Sequence, residues 1–402
     1  MSEPANPNAV FARRYDLDWL RIIAFGLLIF YHVGRFFDTE PWHAKSLNAG
    51  AAIEPVMWLS TPWRLPLLFF ISGVAIRFLS DKLGSARFVL DRTWRLFPVL
   101  VFAVFVIVPP QTYSEVVSSG AFSGNFFDFY ALYAGVLGGP WEVITPTYNH
   151  LWYVAYLLIY CLILAPVLPV LRWLADSSAL TGIGNWFSRG WGLLALLALP
   201  VIPFLIYRFA LAPDFPVTHA LVDDWYNHAV SLTCLLMGYL AAKNGGFWQG
   251  VSRLFPASAT LAIILLGGLF WAYSHLDSLA GNAVLLWAAR LARVALLWVM
   301  IMALSGMAMR FLNHDGPLRR YFTAAIFPYY ILHQTIIVVV GFWIRDAGLG
   351  PWQEFGVLAG ATIIGCGMGY ELVRRIPLLR PFMGLKLKSG RKPEPQGMPA
   401  RA

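Results

Sequence analysis

The chain has 402 residues, of which 58% are hydrophobic and only 13% are charged, and it carries a formal net charge of +9. Soluble domains have about 25% charged residues, so this composition excludes an ordinary soluble protein and indicates a polytopic membrane protein. The three cysteines lie in apolar runs without a Cys-x-x-Cys pair, which excludes a disulfide framework and favours small buried side chains.

Apolar segments that are long enough to cross a bilayer predict an all-α fold with about ten transmembrane helices. The predicted spans cover residues 17–36, 56–79, 94–112, 150–172, 190–208, 226–243, 257–274, 283–306, 323–344 and 355–373. The first span is interrupted by Arg21 and lacks a small-residue cleavage site, so we expect it to remain attached rather than act as a cleaved signal peptide.

The distribution of Lys and Arg predicts the orientation of these spans. Loops on the side of the N-terminus hold most of the basic residues, whereas the loop 113–149 on the other side holds none. We therefore expect both termini in the cytoplasm, with residues 1–14 as an N-terminal segment, 15–376 as the membrane domain and 377–402 as a disordered basic tail that contacts anionic lipid. This bias explains the net charge without a nucleic-acid partner.

The first span carries three polar side chains, Asp18, Arg21 and His32. The eleven-residue step from Arg21 to His32 is three helical turns plus about 20°, which places both on one face about 16 Å apart, and Asp18 can pair with Arg21. Charged groups in a span usually face the bundle interior, where a neutral imidazole can accept a proton. The alternatives are an interfacial Asp18–Arg21 ion pair and a core histidine with a structural hydrogen bond.

Later spans carry further polar groups. The second span holds Arg64, bracketed by two prolines that loosen the local helix and expose carbonyls to a cavity, and Ser72 lies deeper in the same span. The fourth span begins with His150 and Trp152, although for Trp152 alone an interfacial aromatic belt is the simpler interpretation.

The remaining polar candidates lie in the last three spans. They are the pair Arg290 and Arg293 on one face of the eighth span, His333 in the ninth span and Glu371 at the end of the tenth. The arginine pair could bind a phosphate or an acidic side chain, and Glu371 beside two arginines is most simply an interfacial ion pair. The sequence contains no His-x-x-x-His, no P-loop and no Gly-x-Ser-x-Gly elbow, so we expect neither a metal site nor nucleotide hydrolysis.

Four motifs in matching order resemble the acyltransferase-3 family of multi-pass membrane acyltransferases. They are LDWLR with Arg21 followed after ten residues by His32, RLPLLFFISG with Arg64 and Ser72, HLWYVAYLLIY with His150 and Trp152, and PYYILHQ with His333. The resemblance covers residues 13–376. Within the family, these pieces are similar to membrane succinyltransferases that modify periplasmic glucans.

The resemblance implies an enzyme of the bacterial inner membrane. Such an enzyme transfers an acyl group from a cytoplasmic donor, usually acyl-CoA as a co-substrate, to a hydroxyl of a carbohydrate or lipid-linked glycan of the cell envelope, and it binds no cofactor. By position in the motifs, the resemblance implies that His32 is the catalytic histidine, Arg21 its catalytic partner and Arg64 a substrate or donor contact.

Ester formation needs a base for the hydroxyl and positive groups for the developing oxyanion. We expect His32 to act as the base, Arg64 or His150 to stabilise the oxyanion or orient the sugar, and Arg21 to hold the donor. The loop arginines expected to meet CoA phosphates are Arg87, Arg92 and Arg95. The further substrate or donor contacts that we predict are Asp18, Ser72, Trp152, His333 and Glu371.

Three alternatives remain at this stage. A covalent acyl-His32 intermediate could replace direct transfer. A transporter or flippase for an anionic or glycan substrate would also need buried Arg and His, although the sequence shows no internal repeat of the kind found in many transporters. The third alternative is an inactive family member that serves as a membrane partner.

Overall fold

The computed structural model describes residues 14–135 and 139–387, and these residues form helices and connecting turns without a β-strand. In chain order, the α-helices of the described residues are α1 (Tyr15–Arg35), α2 (Glu54–Ser60), α3 (Arg64–Ser80), α4 (Ser85–Phe102), α5 (Pro109–Ser118), α6 (Phe126–Tyr133), α7 (Trp152–Leu164), α8 (Leu168–Ala175), α9 (Ser178–Phe187), α10 (Trp191–Ala198), α11 (Val201–Ala210), α12 (Trp225–Ala241), α13 (Gly245–Ser274), α14 (Leu276–Ala280), α15 (Ala283–Phe311), α16 (Pro317–Ile344) and α17 (Pro351–Arg375). The all-α prediction is confirmed.

Within the described residues, nine apolar helical segments are long enough to cross a membrane, so the chain is an integral membrane protein. They are Tyr15–Arg35, Ala51–Ser80, Ser85–Ser118, Asn149–Ala175, Trp191–Ala210, Gly245–Ser274, Ala283–Phe311, Pro317–Ile344 and Pro351–Arg375, and they coincide with nine of the ten predicted spans. The other predicted span, 226–243, coincides with α12, whose 17 residues are shorter than those nine segments. A helix of that length extends about 26 Å, less than the roughly 30 Å hydrocarbon core, so the count of ten stays a prediction.

The long helices run in alternate directions, so their ends collect at two faces of the bundle. At one face, Arg319 at the start of α16 donates to the carboxylate of Asp18 in α1 over 2.6 Å. At the other face, the hydroxyl of Tyr148 before α7 donates to the carbonyl of His219 before α12 over 2.9 Å. We call these the N-terminal face and the far face; which of them meets the cytoplasm stays a prediction.

Helices α3 and α12 cross in close backbone contact at two glycines. A Cβ on Gly73 would overlap the carbonyl group of Leu235, and a Cβ on Gly238 would overlap that of Phe70. Small residues at helix contacts in membranes let backbones approach closely and gain dispersion contacts. This contact fixes α3, whose first residue is Arg64 and whose middle carries Ser72.

The start of the predicted tail differs from the expectation of disorder. Residues 377–387 contain two short 3-10 turns, Pro377–Leu379 and Pro381–Met383. Phe382 packs against Phe102 of α4 with ring centroids 5.4 Å apart, and Met383 is buried, so apolar side chains anchor this part of the predicted tail. The rest of the predicted tail (388–402), residues 1–13 of the predicted N-terminal segment, and residues 136–138 lie outside the described residues.

Candidate active site

Two histidines from different helices form the centre of the site. Nδ1 of His32, at the end of α1, lies 2.9 Å from Nε2 of His333 in α16, and Nδ1 of His333 lies 2.7 Å from the carbonyl oxygen of Tyr330. A carbonyl can only accept, so in the neutral pair His333 carries its proton on Nδ1 and its Nε2 accepts a hydrogen bond from Nδ1–H of His32. The hydrogen bonds therefore leave Nε2 of His32 with a free lone pair.

A third histidine, His150, packs edge-on against this pair, with its ring centroid 5.3 Å from that of His333. Its Nε2 is 3.1 Å from the carbonyl oxygen of Ile331, and its Nδ1 is 3.5 Å from the amide nitrogen of Gln111. Both ring nitrogens are thus engaged by protein groups, whereas Nε2 of His32 has no hydrogen-bond partner among residues 14–135 and 139–387. Of the three rings, His32 has the geometry of a base.

Polar side chains connect the three histidines to the far face. The chain of hydrogen bonds runs Glu115, His43, Asn149, Gln334, Gln111, His150. Gln111 follows a π-helical segment, Ala103–Ile107, whose last carbonyl accepts from Thr335 over 2.7 Å. Such segments are frequent at functional sites because they redirect the backbone.

His32 opens into a small cavity of about 220 Å³ that we call the His32 pocket. Its charged and titratable lining residues are His32, His150, His219, Arg64, Arg208, Arg293, Tyr31, Tyr226 and Tyr330. Apolar side chains such as Leu28, Phe204 and Leu297 form the rest of the wall.

Arg64 is the most deeply buried cation of this pocket, with 4% of the side chain exposed. Its guanidinium lies 3.6 Å above the ring of Tyr31, and Nη1 donates to the hydroxyl of Ser60 over 2.7 Å. Its Nε is buried without a hydrogen-bond partner among the described residues. Tyr31 precedes His32 and their rings are in contact, so Arg64 and His32 line the same pocket.

A larger cavity of about 710 Å³, the vestibule, lies at the far face and shares His32 and Trp152 with the His32 pocket. Aromatic side chains line it, namely Tyr31, Trp42, Trp58, Tyr148 and Trp152. The ring of Trp152 stacks on that of His219 at 4.4 Å, and a φ of 61° at His219 holds that loop residue in the left-handed region. Burial lowers the pKa of His219 below its ordinary value, although the nearby Asp224 carboxylate acts in the opposite direction.

Arg21 opens into a different cavity at the N-terminal face, of about 540 Å³, which we call the Arg21 chamber. Its cations are Arg21, Arg92, Arg95, Arg320, Arg380 and Lys386, and no acidic residue is among its described lining residues. Ser72 also lines it and shares a hydrogen bond of 2.6 Å with the hydroxyl of Tyr153. Arg87 is exposed and does not line the chamber.

Three aromatic rings separate the Arg21 chamber from the His32 pocket. Phe25 lies 5.0 Å from Tyr330 and 6.0 Å from Tyr153, measured between ring centroids, and Tyr153 lies 6.2 Å from Tyr330. Phe25 and Tyr153 face the chamber and Tyr330 faces the pocket. Arg21 and His32 therefore share a helix but open into separate cavities.

Two predicted residues have structural partners of their own. Asp18 lies 4.0 Å from Arg21 but 2.6 Å from Arg319, so its close ion pair joins α1 to α16 rather than staying within α1. Glu371 pairs with Arg374 and Arg375 at the end of α17 and lines none of the three cavities. Its placement matches the interfacial ion pair that the sequence analysis held as the simpler alternative.

Several site residues were missed by the sequence analysis. The sequence analysis gave no role to Arg208, placed Arg380 and Lys386 in the basic tail, and left Gln111 near the end of a predicted span, although a polar residue after two prolines was a usable signal. Tyr330 lies inside the motif PYYILHQ and Asn149 directly precedes the motif HLWYVAYLLIY, but neither residue was given a role. Among the described residues, no group of His, Cys, Asp and Glu could hold a metal ion.

Comparison with known proteins supports the resemblance seen in the motifs. A family model described as an acyltransferase domain, Acyl_transf_3, matches residues 14–371, which is nearly the whole chain. No curated protein and no solved structure matches the chain.

Proposed function

This chain belongs to the Acyl_transf_3 family of acyltransferases, and we propose that it moves an acyl group from acyl-CoA in the Arg21 chamber to a glycan hydroxyl in the vestibule. Nε2 of His32 is the general base. The observation that carries this proposal is the hydrogen-bonded tautomer of His32, which has a free lone pair at the junction of the His32 pocket and the vestibule. The proposed location is the bacterial inner membrane, with the N-terminal face in the cytoplasm.

The Arg21 chamber suits the CoA end of the donor. Its cations can pair with the phosphates of CoA, because guanidinium groups bind phosphate through paired charge-assisted hydrogen bonds. The distance from Arg21 to His32 is about 16 Å along α1, which an extended pantetheine arm can bridge. In this arrangement, the rings of Phe25 and Tyr153 move apart to admit the arm, and the thioester reaches the His32 pocket.

The vestibule suits a carbohydrate acceptor. Its aromatic faces offer flat apolar surfaces for a sugar ring, and Asn149, Gln334 and Glu40 offer hydrogen-bonding groups around them. A pocket with convergent polar groups on an apolar wall is the usual form of a small-molecule site. The acceptor hydroxyl would then approach Nε2 of His32 from the far face.

The transfer step uses the protein's own groups. His32 removes the proton of the acceptor hydroxyl through Nε2, the hydroxyl oxygen attacks the thioester carbonyl, and Arg64 stabilises the resulting oxyanion. The carbon–sulfur bond breaks, the imidazolium returns its proton to the CoA thiolate, and an ester forms. Protonated His32 keeps its bond to His333 because Nδ1–H remains a donor.

The experiment compares the wild type with His32→Ala and His275→Ala in lipid nanodiscs. His275 is an exposed histidine that stacks on Trp271 and lies outside the four motifs, so it serves as the matched control. We expect acyl-CoA consumption and the acyl mass increment on envelope glycans to fall by about 10²–10⁴-fold in His32→Ala, the usual contribution of a general base. His275→Ala keeps its activity.

Full acylation by His32→Ala would overturn the role of His32. The main alternative is a transporter, which also needs cavities open to both faces. A different result would distinguish it from an acyltransferase. If the wild type moves a glycan across the membrane without consuming acyl-CoA, the protein is a transporter and not an acyltransferase. An acyl group found on a His32 peptide after rapid quenching would replace direct transfer by the covalent route.

A further inference from the structure

The charge of the His32 pocket exceeds what acyl transfer to a neutral sugar requires. Three guanidinium groups, those of Arg64, Arg208 and Arg293, line a cavity of about 220 Å³. No Asp or Glu is among the described residues that line it. An uncompensated cation in a poorly solvated site is unfavourable, so such a pocket favours an anion.

The hydrogen bonds of the three arginines leave them free to bind a ligand. Arg64 donates to the neutral hydroxyl of Ser60, and its Nε has no partner among the described residues. Arg293 donates to the hydroxyl of Tyr273 over 3.0 Å, and Arg208 makes no hydrogen bond or ion pair with a described residue. None of the three guanidinium groups is neutralised by a carboxylate.

Asp224 contacts two residues that line the pocket, His219 and Asn227, but its carboxylate is committed elsewhere. It is fully buried, and its carboxylate accepts the backbone N–H groups of Thr218 and His219 over 3.2 and 3.0 Å. It also accepts from the side chains of Asn227 and Tyr156. Asp224 therefore orders the loop that carries His219 and does not serve as the counter-ion of the arginines.

We propose that the His32 pocket binds an anionic group of a substrate, a carboxylate or a phosphate, through Arg64, Arg208 and Arg293. The identity of that substrate rests on the proposed function: the group belongs either to the acyl chain of the donor or to the acceptor. The volume of the pocket, below the roughly 300–1,000 Å³ of typical ligand sites, restricts it to a small anionic group. A guanidinium group binds either a carboxylate or a phosphate through two parallel hydrogen bonds in a fixed geometry.

The test measures binding to the full chain in nanodiscs by calorimetry, with two matched pairs of probes. Succinyl-CoA and butyryl-CoA differ in a terminal carboxylate on a four-carbon acyl chain, and glucose 6-phosphate and glucose differ in a phosphate. We expect the anionic member of one pair to bind at least about tenfold more tightly than its neutral partner. A preference in the first pair assigns the anion to the acyl group, and a preference in the second assigns it to the acceptor.

The variants Arg208→Gln and Arg293→Gln should bring the affinity ratio of the anionic to the neutral probe close to one. The affinity for CoA itself should stay unchanged. Arg293→Lys keeps the charge and should retain part of the ratio. Arg290→Gln is the matched control, because Arg290 lies three residues from Arg293 on α15, packs over Trp287 and does not line the pocket. A ratio near one in both pairs for the wild type, or a ratio unchanged in both Gln variants, would overturn the proposal. If the ratio holds but no acyl-CoA is consumed, the anion site stands and acyl transfer fails.

Discussion

The Arg21 chamber and the His32 pocket are both cationic, but they hold their charges in different ways. In the chamber, long side chains reach in from α1, α4, α16 and the segment after α17, and about a third of the Arg21 side chain is exposed. In the pocket, Arg64 is buried and the histidine rings are fixed by hydrogen bonds. Several partly exposed cations around a larger cavity suit a polyanion, whereas fixed rings suit chemistry that needs one orientation.

The two cavities nevertheless depend on the same helix packing. Helix α3 begins at Arg64 in the His32 pocket and reaches the Arg21 chamber at Ser72, beside the close contact with α12. Gly73→Ala should therefore remove both binding functions together, because the added methyl overlaps backbone that cannot rotate away. Overpacking a tight contact costs about 1–3 kcal/mol or more, which shows as a lower unfolding temperature and a lower yield of monodisperse protein.

Gly267→Ala is the control for that substitution, since Gly267 lies on an exposed part of α13 with open space around it. It should leave the unfolding temperature unchanged or raise it slightly, because alanine favours a helix. Wild-type stability in Gly73→Ala would mean that α3 and α12 can separate without loss, and that the two cavities do not depend on this contact.

The second prediction concerns the pocket alone. His333→Ala removes the acceptor that fixes the Nδ1–H tautomer of His32, and we expect kcat to fall on the order of 100-fold with an unchanged KM for the donor. The effect is smaller than the roughly 10⁴-fold loss for a charged orienting residue in a serine protease, because His333 is neutral. His333→Gln places an acceptor oxygen near the same position and should recover part of kcat.

Steady-state kinetics over a range of pH provide the readout for this pair of variants. If His333 positions His32, His333→Ala lowers kcat and alters its pH profile, and His333→Gln recovers part of kcat. If both variants lose activity equally and also unfold at a lower temperature, the bond between His333 and His32 supports the fold and not the tautomer.

Much of the fold followed from the sequence, and less of the site did. Long apolar runs predicted the nine span-length helical segments found among the described residues, because hydrophobic length is a local property of the chain. The helix period placed Arg21 and His32 on one face, but the aromatic layer that separates their cavities comes from α7 and α16 as well as α1. Contacts between distant segments, such as Asp18 with Arg319, have no signature in local spacing.

The third prediction concerns the Arg21 chamber. Arg92→Gln and Arg95→Gln should each raise the KM for acyl-CoA several-fold at low salt with little change in kcat, because a screened, partly exposed charge contributes about 1 kcal/mol or less. Arg87→Gln is the matched control on the same helix, exposed and outside the chamber. Equal effects of the three substitutions would indicate attraction by the whole basic surface rather than binding in the chamber.

The smallest effect is expected outside both cavities, at Glu371. The sequence analysis named it as a substrate or donor contact, but the side chain pairs with Arg374 and Arg375 at the end of α17, with both arginines more than 40% exposed. An exposed ion pair of this kind contributes about 0–1 kcal/mol. Because Glu371 also lines none of the three cavities, Glu371→Gln should change kcat and KM by less than about twofold, near the low end of that range. A larger loss of donor affinity would extend the Arg21 chamber to the end of α17, and acylation kinetics on the single variant decide between the two.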